Sequence, residues 1–182
     1  MKILIGFEYS GTVRDAFISR GHEAISCDIL PTEKAGPHYQ CCFFDLDHSS
    51  YDLIIAHPPC TAVCVSGNRH YSGTQARIDG IRLIDRVWQT NTEKLCIENP
   101  VGVINSFLSH MPKPYYVQPY EHGHGETKRT GLWTRGLPRL VPSNPVKGRV
   151  NRIHMMPPSR DRGKLRSRTY PGIAAAMAEQ WG

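Results

Sequence analysis

The sequence predicts an α/β domain built on a doubly wound, mostly parallel sheet. Short apolar runs alternate with helical or loop crossovers along the first half of the chain. Several of these runs stop at a carboxylate or a stiff turn, which is where open α/β sheets place ligands. The length, 182 residues, suits a single domain over 1–182 with its own core, and no internal repeat divides it.

Each element follows from local pattern. Residues 2–7 read as a buried first strand. Ser10, Gly11 and Thr12 open a helix, with Thr12 and Asp15 spaced as a capping box, Val13, Ala16 and Phe17 on the apolar stripe, and Gly21 past the end. Strands are expected over 23–28, 41–44 and 53–57, with a loop over 30–36. A polar loop over 66–74 leads into a helix over 75–90, where Ile78, Ile81, Ile84, Val87 and Trp88 recur at helical spacing. A fifth strand covers 94–98. Extended segments over 115–120 and 130–134 predict a β-hairpin at one sheet edge. Residues 138–164, rich in Pro, Arg and Gly, predict loop, and Pro171 starts an Ala-rich helix that runs to Trp181.

Composition narrows the class. At 40% hydrophobic and 21% charged the chain is globular in type. No apolar run reaches the ~20 residues of a membrane span. The chain enters its first strand at once, leaving no room for a signal peptide, so a cytoplasmic location is expected, in a host cell if a phage encodes it. Six cysteines lie mostly in apolar, strand-like segments, as reduced thiols do. Charge is uneven. Residues 128–168 hold twelve of the 22 Lys and Arg and one acid, Asp161. A basic segment of this kind suits a polyanion, with nucleic acid foremost; the bland alternative is a solvated loop. Oligomeric state is open.

The chemistry gathers around residues 51–60, Tyr-Asp-Leu-Ile-Ile-Ala-His-Pro-Pro-Cys. Pro58 and Pro59 stop a buried strand and stiffen the turn, and the first side chain after them is the thiol of Cys60. Glu98 ends the fifth strand, which can adjoin the fourth. A thiolate beside a carboxylic acid suits covalent addition to an electron-poor heterocycle. Addition at carbon 6 of cytosine turns carbon 5 into a nucleophile, while the acid hydrogen-bonds the ring nitrogen and exocyclic amine. Lys128 or Arg129 would favour the thiolate. Glu8, Tyr9, Ser10 and Gly11 form the first strand-to-helix turn, and Asp28 and Asp45 end the second and third strands. Together these describe a nucleoside-cofactor site, and the turn is not the G-x-G-x-x-G of NAD enzymes.

These motifs in this order resemble the DNA (cytosine-5)-methyltransferases, in a short form of the kind found in phages. Gly6-Phe7-Glu8-Tyr9-Ser10-Gly11 resembles the cofactor loop, Asp28 and Asp45 the two cofactor acids, Pro59-Cys60 the nucleophile motif and Glu98-Asn99-Pro100 the motif that holds the cytosine. Thr127-Lys128-Arg129 sits where the family has an Arg-bearing strand, and 169–174, Thr-Tyr-Pro-Gly-Ile-Ala, resembles the closing motif. The resemblance implies a Rossmann-like S-adenosylmethionine-dependent fold acting on DNA, with the target base flipped out of its stack. It implies Cys60, Glu98 and Arg129 as catalytic residues. Phe7, Glu8, Tyr9, Ser10, Gly11, Asp28, Ile29, Asp45, Pro58 and Tyr170 would hold the cofactor. Pro59, Asn99, Pro100, Lys128 and Arg168 would hold the substrate, and no metal is implied. Departures are Glu8-Tyr9 for a glycine turn, Thr61 for glutamine and Gly131 for a second arginine. In place of the target-reading domain stands only the basic, Pro-rich stretch 137–167, so sequence selectivity is expected to be low or supplied elsewhere.

Other readings stay open at this point. His-Pro-Pro-Cys is also similar to the Pro-Pro turn of amino-group methyltransferases, although those carry an aromatic residue where Cys60 stands. A modified donor in place of S-adenosylmethionine and a non-catalytic DNA-binding module are further alternatives. His57, Cys60, Cys64 and His70 would make a four-ligand zinc set. Duplex DNA, single strands, RNA and free nucleotide all remain as substrates.

Overall fold

The computed structural model describes residues 1–182. Strand β1 (Lys2–Gly6) leads through helix α1 (Thr12–Ile18) to β2 (Glu23–Asp28), and a loop returns the chain to β3 (His38–Gln40). Strand β4 (Leu53–Ala56) is followed by helices α2 (Asn68–Tyr71) and α3 (Gln75–Trp88), then β5 (Lys94–Pro100) and α4 (Ile104–Phe107). Strands β6 (Tyr115–Val117) and β7 (Thr130–Arg135) precede three helices, α5 (Arg152–Met155), α6 (Arg162–Ser167) and α7 (Pro171–Trp181).

The seven strands form one sheet in the order β3-β2-β1-β4-β5-β7-β6. The pairs from β3 to β5 are parallel; β7 runs antiparallel between β5 and β6. This is the doubly wound, mostly parallel sheet expected, with the hairpin at its edge. The central strands read as continuous apolar runs because both faces are covered. Ile3, Ile5, Leu53, Ile55 and Cys96 face α1 and α7, while Leu4, Ile54, Ala56, Leu95 and Ile97 face α3 and α4. No helix is long and apolar enough to cross a membrane.

Several expectations are corrected. The third strand lies at His38–Gln40, and the apolar run after it turns inward as a 3-10 turn, Phe43–Asp45. Gly6 explains this, since a Cβ there would lie 2.5 Å from the Phe43 ring. The Thr12/Asp15 capping box is absent. Gly11, at φ 69°, is the N-cap, and Glu8 caps from the preceding turn by accepting the amides of Val13 (2.8 Å) and Arg14 (3.2 Å). Helix α3 ends at Trp88 and leaves Ile78 exposed, so its buried stripe is Ile81, Ile84 and Val87. The polar loop 66–74 contains α2, and the predicted loop 138–164 contains α5 and the start of α6.

Candidate active site

Parallel strands deliver their carboxyl ends to one edge of the sheet, and antiparallel β7 brings its amino end to the same edge. The last register pair between β4 and β5 is Ala56 with Ile97. One step further lie His57 and Glu98, and side chains at paired positions share a face. His57 Nδ1 and Glu98 Oε2 are 2.9 Å apart, with side chains 11% and 10% exposed. The neighbouring residue repeats the link on the other face, where Asn99 Nδ2 donates to the Pro58 carbonyl at 2.9 Å. Two bonds thus tie the Pro-Pro turn to the end of β5.

Cys60 follows this turn, half-buried, with Cys64 one helical turn on. The Cys64 amide donates to the Cys60 carbonyl at 2.9 Å. The Cys60 thiol is pushed up by nearby Cys64, then by burial and by the charge of Glu98; Lys128 opposes this. Cys64 is lowered by its neighbour Cys60 and, against burial, by the Ser66 hydroxyl (3.1 Å) and the Gly67 amide. Burial pushes the Glu98 carboxyl up, but the His57 bond and the charges of Lys128 and His57 outweigh burial, so its net shift is downward.

Sequence and structure differ on the cation. Lys128 is the one whose field reaches both Cys60 and Glu98, and its ammonium donates to the Arg168 carbonyl at 2.9 Å. Arg129, expected as catalytic, is exposed and stacks on Tyr116 at 4.0 Å, with no hydrogen bond or ion pair to either residue. Adjacent residues in extended chain point to opposite sides, so only one of the two can face the thiol. The alternative zinc set does not assemble: His57 is taken by Glu98, and no three His, Cys, Asp or Glu side chains group as metal ligands.

The expected cofactor residues line the same edge nearer β1 and β2, with different freedom. Glu8 is buried and both its oxygens are engaged by α1; it shapes the turn and has no carboxylate left for a ligand. Phe7, at φ 58°, stacks on Phe43 with centroids 5.0 Å apart. Asp28 accepts the Leu30 amide through Oδ1 (2.9 Å), leaving Oδ2 free, beside Ile29, which is 72% exposed. Asp45 is exposed. Ser10 and Tyr170 border a cavity of about 710 Å³. Arg168 and Glu33 line it too and pair at 2.8 Å, and Lys164 also pairs with Glu33. Tyr170 donates to Glu126 at 2.6 Å. This cavity lies on the cofactor side of the edge and does not include Cys60 or Glu98. Pro59 is exposed, while Pro100 ends β5 opposite Thr130.

Reading from sequence missed His57 as a partner of Glu98, Cys64 as a neighbour of Cys60, and Glu33. Only the i, i+4 spacing of the two cysteines was visible beforehand.

No protein-family model matches the chain, and no curated protein matches it. Among solved structures it is similar to the Entamoeba histolytica methyltransferase EhMeth, with TM-score 0.55 and 14% identity over 80% of this chain and 57% of that one. It is also similar to a protein described as a DNA modification methyltransferase encoded within an E. coli prophage (TM-score 0.49, 16% identity, 81% of this chain, 53% of that one). A further similarity is to the S. pombe Dnmt2 methyltransferase (TM-score 0.45, 14% identity, 85% and 53%). The chain spans little more than half the length of each. The first likeness shows the fold: the chain shares the Rossmann-like fold of EhMeth.

Proposed function

We propose that this chain is a DNA cytosine carbon-5 methyltransferase working through a Cys60 adduct. The observation that carries this reading is the pairing at the ends of β4 and β5: a half-buried thiol after the Pro-Pro turn, within the field of a carboxyl whose Oε2 is held by His57 at 2.9 Å, with the turn itself tied to β5 by Asn99. The cofactor expected from the sequence is S-adenosylmethionine, and the residues fit its nucleoside. Asp28 keeps an oxygen for ribose hydroxyls, exposed Ile29 offers an apolar cover, and exposed Asp45 offers an acceptor for an amino group. S-adenosylmethionine would supply an electrophilic methyl group.

The chain's own residues do the rest. Cys60 loses its proton to water as its sulfur bonds to carbon 6, and Lys128 favours the charge that forms. Glu98, taking up a proton, donates to the ring nitrogen as electron density moves there and accepts from the exocyclic amine. Carbon 5 takes the methyl group and gives up its proton to water, and the sulfur–carbon bond breaks to restore the ring. Arg160 and Lys147, exposed on the basic segment, contact phosphate without reading bases, so selectivity is low.

Nucleoside mass spectrometry of DNA from cells expressing the protein tests this. The expected product is 5-methylcytosine, absent when Cys60→Ala is expressed. Methyl groups on adenine or cytosine nitrogens, or a product retained by Cys60→Ala, would overturn the covalent route; a heavier group on carbon 5 would identify a modified donor.

A further inference from the structure

His57 has no part in the reaction as stated above. It nevertheless pairs with the Glu98 carboxyl at 2.9 Å, and both side chains are about nine-tenths buried. Three buried side-chain polar atoms in the protein lack a hydrogen-bond partner, and two of them, His57 Nε2 and Asn99 Oδ1, belong to the residues that bridge β4 and β5 here. A buried polar atom without a partner is costly, because it has given up its hydrogen bonds to water. Such a cost is tolerated where a ligand or water completes the set. Oε2 of Glu98 accepts from the ring, so Nδ1 carries a proton there, while Nε2 is left without a partner.

We propose that His57 is the positioning residue for Glu98: it holds Oε2, leaves Oε1 for the pyrimidine, and sets the pH range in which Glu98 can serve. This role rests on the covalent reading above. The groups around the pair are known from each packed element. On β5 stands Cys96, two residues before Glu98 on the same face and itself in the field of Glu98. Before β7 stands Lys128, and after the Pro-Pro turn Cys60 and then Cys64. On the β1 side, Glu8 has both oxygens on α1 amides. Lys128 and His57 thus lower the Glu98 carboxyl against burial, so the pH at which it can still carry the proton for the ring nitrogen is set by them. Without the ring, burial is left with less opposition, so Glu98 stays protonated to higher pH and rotates free of its one fixed oxygen.

The test is the rate of covalent trapping of a 5-fluorocytosine oligonucleotide with S-adenosylmethionine, measured against pH for wild type, His57→Ala and His57→Asn. Asparagine keeps a neutral N–H near the place of Nδ1. His57→Ala is expected to trap at least about tenfold more slowly, since misplacing a reacting group costs that order. Its alkaline limb is expected to move up by about one pH unit. His57→Asn is expected to recover most of the rate and keep the limb in place. Equal rates and equal profiles for wild type and His57→Ala would overturn the role of His57 alone. No adduct with wild type would overturn the covalent reading and this role with it. A cofactor-free readout decides separately: the 15N signals of the His57 ring must move in Glu98→Gln, and unmoved signals would overturn the pairing.

Discussion

A buried thiol beside a second thiol is a reluctant nucleophile, and Cys60 is in that position. Removing Cys64 removes the largest influence pushing the Cys60 thiol up. In Cys64→Ala the Cys60 titration should therefore move down, and alkylation of Cys60 at neutral pH should quicken several-fold. Slower or unchanged alkylation would contradict the influence of Cys64 on Cys60. Cys60 and Glu98 were legible in the sequence because each sits where an apolar run stops. His57 as a partner of Glu98 was not, since the two are 41 residues apart and only the β4–β5 register brings them side by side. The choice between Lys128 and Arg129 was equally hidden: it depends on which side of an extended chain faces the thiol, and composition carries no trace of that.

At the scale of elements, the strands and long helices were readable from periodicity, and the turns were not. Strand β2 and helix α7 lie where pattern placed them, whereas β3 moved because Gly6 admits the Phe43 ring. Two unforeseen anchors hold the cofactor side. Arg14 is fully buried, pairs with Asp15 at 2.8 Å and donates to the carbonyls of Lys34, Ala35 and Pro37, fastening α1 to the loop over 32–37. Arg14→Met leaves those acceptors bare and should lower stability by about 3 kcal/mol or more, read by denaturant unfolding. Gly172, in the first turn of α7, lies against the His122 carbonyl, and its amide donates to His124 Nε2 at 3.0 Å. A Cβ there has no room, so Gly172→Ala should cost about 1–3 kcal/mol by the same measurement. A neutral result at either position would refute the packing described.

For the whole molecule, the uneven charge visible in the sequence turns out to be partly spent inside the fold. Arg152 pairs with Glu126 at 3.0 Å, Lys164 and Arg168 meet Glu33, and Arg149 stacks on Tyr120 at 3.5 Å. Sequence showed the charge but not its partners, which lie on distant loops. The Glu33 carboxyl is held below its usual range, chiefly by Lys164. A lowered carboxyl stabilises above its unfolded pKa and loses that effect as pH falls through the folded one. The 152–168 segment should therefore loosen in acid, and also in Glu33→Gln at neutral pH. Limited proteolysis would read this as faster cutting between residues 160 and 168, with little change in global stability because the pairs are surface-exposed. Equal cutting in wild type and Glu33→Gln would show that Glu33 does not hold the segment.

All of this turns on one sulfur bonding to the base while one carboxyl holds it. The most direct measurement is tandem mass spectrometry of the peptide recovered after trapping with a 5-fluorocytosine oligonucleotide and S-adenosylmethionine. The account predicts the added nucleotide mass on Cys60, with Glu98→Gln greatly reducing its yield. The mass on Cys64, or none on any cysteine, would contradict it.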